Sequence, residues 1–275
     1  MLDWALQGLP RRVNLLGVMV SATDYAETTA CVVQAARARR PLSVTACAVH
    51  ALMEGHLDAD FAAALNHFDI VAPDGQPVRW AMRWTGQANL SDRVYGPILT
   101  LHICAMAARE QWPVFFYGSR LHTLERLVAN LTNRFPGLLV AGTQPSRFRE
   151  TTREEQRADA DAIIASGARV AFVGLGCPRQ EWWLFHQRKR LPMPAVAVGA
   201  AFDFHAGTLA QAPSWMQSAG LEWAFRLAKE PRRLWRRYAR LNPLYLACIS
   251  QQVANPSRFL PRMDISGAER RPCPG

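Results

Sequence analysis

Residues 113–144 read PVFFYGSRLHTLERLVANLTNRFPGLLVAGTQ. An apolar run of strand length, PVFFYGS, ends at Gly118. LHTLERLVANLTNRFP follows with the spacing of an amphipathic helix closed by Pro136, and LLVAGTQ is a second strand run. The same rhythm extends outward in both directions. Upstream stand RVNLLGVMV, the helical stretch DYAETTACVVQAARAR, the strand run LSVTACAV, the helical stretch HALMEGHLDADFAAALNHF and the strand run DIVAPDG. Downstream, TTREEQRADADAIIASG reads as a helix with early acids and a terminal Gly167, and ARVAFVGLG and PAVAVGAAFDF complete the strands. Strands joined by helices imply an α/β, Rossmann-like fold with a mainly parallel sheet flanked by helices.

The texture changes near residue 210. From Trp215 the chain is rich in Trp and Arg, with Pro231 and Pro243 punctuating what read as short helices. The expected organisation is a core over residues 1–210, a small basic helical appendage over 211–260 and a disordered polar tail over 261–275. On this division, removing residues after about 215 leaves a folded core.

With 275 residues, 49% of them hydrophobic, the chain can bury a sizeable core, which excludes a disordered polymer. A formal charge of +10 predicts an anionic partner: a nucleic acid, a phosphorylated substrate or an acidic lipid surface. The six cysteines form no CxxC pair and the seven histidines no metal-binding spacing, so a reducing compartment and no metal are expected. The first residues lack the order of a signal peptide, and no run approaches the ~18–20 apolar residues needed to cross a bilayer. A cytoplasmic protein with, at most, peripheral membrane contact is expected.

Four clusters could carry chemistry. Asp74 lies directly after an apolar strand and before Gly75, at the carboxyl edge where parallel sheets gather ligands. A carboxylate there can act as a general base, yet Pro-Asp-Gly is equally a turn signature, and spacing alone favours the turn. In FVGLGCPRQEWW, Gly174 and Gly176 follow a strand and Gln180 and Glu181 open a helix. That arrangement suits a phosphate, but also simple packing, and it is no dinucleotide fingerprint. Asp203, near Gly207, could bind a sugar or ribose hydroxyl or cap a loop. Arg226, Lys229, Arg232, Arg233, Arg236, Arg237 and Arg240 alternate with Trp223, Phe225, Leu227, Leu234, Trp235 and Tyr238. Such a mixture suits a lipid interface or a diphosphate, and a solvated helix face is the plain alternative.

Six blocks in order carry a resemblance: PDG (73–75), FYGS (116–119), GLGCPRQEWW (174–183), VGAAFDFHAG (198–207), APSW (212–215) and GLEWAFRLAKEPRRLWRRY (220–238). Together, across roughly residues 12–245, they resemble the WecG/TagA/CpsF family, glycosyltransferase family 26. The resemblance implies inverting transfer from a UDP-sugar, in many members UDP-N-acetylmannosamine, to a sugar on undecaprenyl diphosphate, without a bound metal or other cofactor. It also implies a C-terminal appendage that docks the membrane-bound acceptor, and it makes a homo-oligomer plausible. By position, Asp74 matches the proposed base and Thr45 a pocket threonine. Gln180 matches the Gln of the block after the glycines, and Arg226, Arg233 and Arg236 match arginines thought to hold the diphosphate. Arg237 adjoins them. Cys47, Gly75, Gly118, Gly174, Gly176, Glu181 and Asp203 complete the expected substrate surface.

Two departures leave the donor open. Cys47 stands where many members carry Asn, and GQPVRW follows Asp74 where many have a second glycine and valine. A glucosyltransferase of an exopolysaccharide pathway is therefore a second reading. A basic nucleic-acid-binding α/β module is the rival from another class, opposed by the lack of any helix-turn-helix, zinc or RNP signature.

Overall fold

In the computed structural model, which describes residues 8–271, 273 and 274 apart from the Arg233 side chain, the first apolar run folds back on itself. β1 (Arg12–Leu15) and β2 (Val18–Ser21) pair antiparallel around Leu16 and Gly17, both at positive φ. RVNLLGVMV is thus a hairpin outside the main sheet rather than one parallel strand. A two-residue loop with both residues at positive φ matches the twist of a hairpin.

The chain then alternates as expected. In order come α1 (Tyr25–Ala38), β3 (Leu42–Cys47), α2 (Val49–Leu57), α3 (Ala59–Asn66), β4 (Ile70–Pro73), α4 (Gln76–Trp84) and α5 (Gly96–Arg109). These are followed by β5 (Val114–Gly118), α6 (Leu121–Arg134), β6 (Val140–Gln144), α7 (Arg153–Ala165), β7 (Val170–Gly174), α8 (Arg179–Gln187), β8 (Pro194–Ala197) and α9 (Ala201–His205). The six strands β3 to β8 form one parallel sheet in the order β4-β3-β8-β7-β5-β6, with Val44 in register with both Ile70 and Val196. The fold is α/β and Rossmann-like.

Each face of the sheet is covered, as all-parallel sheets require. On one face α1, α5, α6 and α9 pack over Val44, Phe116, Phe172 and Val196. Phe116 stacks on Phe172 at 5.2 Å and meets Phe202 edge-on. The hairpin, α2, α3, α4, α7 and α8 cover the other face around Trp183, Phe185, Phe61 and Leu52.

The C-terminal region comprises α10 (Ser214–Ser218), α11 (Glu222–Lys229) and α12 (Pro231–Ala254). Pro231 separates α11 from α12 as its residue type predicts, but Pro243 lies inside α12 without ending it. The reason is tertiary: Leu241, Tyr245, Cys248 and Ile249 recur at helical spacing and are buried against α2 and the hairpin layer. Gln252, also buried, accepts from the Leu16 amide at 3.0 Å and donates to the Asn14 carbonyl at 2.9 Å.

Residues 261–275, expected to be a disordered tail, are seated on the core where they are described. The Asn66 amide donates to the Arg262 carbonyl at 2.7 Å, Ala268 is fully buried, and Arg271 pairs with Asp58 and, at 2.9 Å, with Asp60. Polar composition misleads here because the partners, α3 and the hairpin turn, lie about two hundred residues earlier.

These contacts argue against the expectation that a chain cut after about residue 215 keeps its core. Leu234, Leu241, Ile249 and Phe259 are all buried. At roughly 1.5–3 kcal/mol each, they contribute roughly 6–12 kcal/mol, as much as a typical domain's whole stability of about 5–15 kcal/mol. Urea unfolding followed by circular dichroism is expected to show no cooperative transition for the truncated chain, whereas the full chain unfolds cooperatively.

Candidate active site

β3 and β4 lead into helices on one face of the sheet, while β8, the other neighbour of β3, leads into α9 on the opposite face. Connections that diverge from adjacent strands leave a crevice at the carboxyl edge. Several helices begin along this edge without a capping side chain, among them α2 at Ala48, α4 at Gly75 and α8 at Pro178. Elsewhere α1, α3 and α7 are capped by Asp24, Asp58 and Thr152. Uncapped first turns present free N–H groups and a partial positive charge.

Asp74 stands at this edge. Its amide donates to the Cys47 carbonyl at 3.0 Å, and Gly75, at φ +95°, turns the chain into α4. The same three residues therefore make the turn and place the carboxylate, so the two readings of Pro-Asp-Gly are compatible. The Asp74 carboxylate accepts from the Gly96 amide at 3.4 Å. Burial pushes its pKa up to about 6; Arg93 opposes the rise, Glu222 adds to it, and the Gly96 amide and Arg226 lower it.

Arg93 is buried and reaches α11. It pairs with Glu222, donates to Gln217 Oε1 at 3.1 Å and lies 4.3 Å above the Tyr95 ring. Gly96 sits so close to the Val198 carbonyl that a Cβ would meet it at 2.9 Å. Arg93, Tyr95, Gly96 and Glu222 escaped the sequence reading: SDRVYGP (91–97) carries no motif, and its only signal is a Gly-Pro helix start. Gly220, before α11, fits closely against Trp80 and Gln76 of α4. The C-terminal helices thus roof the crevice and bring Arg226 within electrostatic reach of Asp74.

The family model described as the glycosyl transferase WecG/TagA/CpsF family matches residues 13–258. The chain belongs to this family. Among its relatives is a protein of Bacillus spizizenii named N-acetylglucosaminyldiphosphoundecaprenol N-acetyl-beta-D-mannosaminyltransferase, 32% identical over 69% of this chain and 71% of the relative. A Bacillus subtilis protein of the same name is 27% identical over 74% of this chain and 77% of its own length. This chain is therefore a glycosyltransferase of the WecG/TagA/CpsF type. Among the described residues no helix is long and apolar enough to cross a membrane.

Within this WecG/TagA/CpsF scaffold the expected residues fall into three sets. Asp74, Gly75 and Gly176 border the crevice, with open space where a Cβ would stand at Gly176. Gly199 joins them, unforeseen. Thr45, Cys47, Gln180 and Glu181 are buried behind this wall. Glu181 accepts from the Thr45 hydroxyl at 3.1 Å and from the Gln180 amide at 2.7 Å, while Gln180 Oε1 accepts from the Gly199 amide at 3.1 Å. They support the surface rather than line it. Gly118 and Gly174 serve packing: a Cβ on Gly118 would strike the Gly174 backbone at 2.5 Å, and one on Gly174 the Phe202 ring at the same distance. Asp203 accepts from the Thr208 hydroxyl at 3.1 Å, which is the loop-capping alternative. Of the arginines, Arg226 and Arg237 are half-buried and Arg236 is exposed. The Arg233 side chain lies outside the described residues.

The raised pKa of Asp74 has a stability consequence of definite sign. The folded state holds this proton more tightly than the unfolded chain, so the wild type loses stability as pH rises from about 4 through 6. A shift of this size corresponds to about 3 kcal/mol. Asp74→Asn carries no such charge. Its stability relative to wild type is expected to increase across that window and level off above about pH 6–7, as read by urea unfolding at several pH values. A difference that does not change with pH would remove the buried charge as its cause.

Proposed function

We propose that this glycosyltransferase moves a hexose-type sugar from its UDP derivative to a sugar carried on undecaprenyl diphosphate, in cell-surface polysaccharide synthesis. N-Acetylmannosamine is the first candidate for the transferred sugar, because both named relatives carry that transfer in their names. The observation that carries the reading is the Asp74 carboxylate, half-buried at the crevice, with a pKa near 6 and two arginines in electrostatic reach.

In the proposed reaction Asp74 takes the proton of the acceptor hydroxyl as that oxygen attacks the anomeric carbon. The bond from that carbon to the UDP oxygen breaks on the opposite face, so the configuration inverts. Negative charge gathers on the diphosphate, where arginines and the uncapped N–H groups of α2 are suited to receive it. Neither a metal nor another cofactor takes part in this scheme.

The acceptor's lipid requires a membrane. Trp215, Trp223 and Trp235 are exposed on α10, α11 and α12 beside exposed Arg232, Arg236 and Arg240. Indole rings settle at headgroup depth, and each cation near an anionic surface contributes about 1 kcal/mol. A peripheral position on the cytoplasmic face follows from this reading.

One observation favours a second donor. Cys47, where many members of the family carry Asn, is fully buried and bonds only weakly, 3.9 Å from the Ala48 carbonyl, so the layer behind the crevice has no amide at that position, while Gln180 keeps its own. Glucose, or another hexose without an acetamido group, is the second reading.

UDP release from a panel of UDP-sugars, with a short-chain diphospholipid sugar as acceptor, tests this. One donor is expected to turn over, with Asp74→Asn slower by at least ~10²-fold. The wild-type kcat/KM is expected to rise with pH and level off above about 6, because the base must be ionised. A variant that keeps its rate would take Asp74 out of the chemistry.

A further inference from the structure

On the first turn of α2, at the same carboxyl edge, stands a side chain for which the proposed reaction has no task. His50 is half-buried. Its Nδ1 makes no hydrogen bond and lies 3.5 Å from Glu54 Oε1 on its own helix, while the ring faces the Cys177 carbonyl of the loop before α8. Arg237 of α12, a helix that packs on α2, and Arg226 of α11 act on it electrostatically. Both arginines have a buried Nε without a hydrogen-bond partner. Three cationic or potentially cationic groups thus converge, each with an unused nitrogen, over a helix start that no side chain caps.

Such a gathering is unfavourable by itself. Burial and the two guanidinium groups hold His50 neutral, with its pKa lowered to about 4. A dianionic group set among the three would use the orphaned nitrogens and the free amides of α2 together, and would neutralise the arginines.

We propose that His50 is a further ligand of the diphosphate cradle that Arg226, Arg237 and the uncapped first turn of α2 offer in the reading above, and that it gains a proton when the diphosphate docks. The inference rests on the glycosyl-transfer reading and deepens it. The chemistry of the cradle is common to the diphosphate of UDP and that of the lipid carrier.

The test is direct binding, so it does not depend on finding the right donor. Inorganic pyrophosphate, UDP and farnesyl diphosphate are titrated calorimetrically into the full chain, wild type, His50→Ala and His50→Asn, with thermal midpoints confirming folding. Wild type is expected to bind pyrophosphate and at least one of the other two, and both variants to bind about ten-fold more weakly or worse. At about pH 6, in two buffers of different ionisation enthalpy, wild type takes up more protons on binding than His50→Asn. Weakening confined to UDP assigns the cradle to the leaving group; weakening confined to farnesyl diphosphate assigns it to the acceptor. Unchanged affinity in folded His50→Asn, or no binding of any probe to wild type, overturns the proposal. In the first case sugar transfer with Asp74 as base still stands.

Discussion

A guanidinium cannot be buried alone, and the buried Arg93 sets the terms for everything around the crevice. Its partners come from far along the chain: Glu222 on α11 and Gln217 on α10. To satisfy one arginine on the loop after α4, the C-terminal helices must close down over the carboxyl edge of the sheet. The same contact positions Arg226 near Asp74. It also places two opposite charges, Arg93 and Glu222, where their effects on Asp74 oppose each other, leaving burial as the dominant influence on that carboxylate.

The crevice has a front and a back. Free amides at helix starts and the small residues Gly75, Gly176 and Gly199 leave the front open to a ligand. Behind them, Glu181 gathers the Thr45 hydroxyl and the Gln180 amide, and Gln180 in turn holds the Gly199 amide. Residues that carry a motif are therefore not always those that meet solvent. Here several of them fix the geometry of backbone groups that do.

Much of the architecture was legible because it is written locally. Strand runs and amphipathic helices repeat every few residues, so 113–144 gives a β-α-β unit without further information, and Asp74 falls at a strand end for the same reason. What sequence reading missed depends on distant partners. Pro243 lies within a helix because the face around it is buried on α2 and the hairpin. Residues 262–271 are held by α3 and the hairpin turn, and Arg93 matters only through Glu222. Gln180 was read as ligand-facing because its block is diagnostic, and Cys47 because it stands where many family members carry Asn; both side chains are buried in the packed layer. RVNLLGVMV was read as one strand because Leu16 at positive φ leaves no signal in composition.

The stitching of the hairpin turn to the far end of the chain bears on biosynthesis. Leu16 and Asn14 find their partners in Gln252, and Gly17 meets Arg262. Emerging from the ribosome at about 5–20 residues per second, the earliest strands wait many seconds for the segment that completes their layer. The exposed Trp215, Trp223, Trp235, Arg232, Arg236 and Arg240 lie within that same late segment. The roof of the crevice and this exposed aromatic, basic surface therefore come into being together, so a nascent chain cannot carry a finished crevice before that surface has formed.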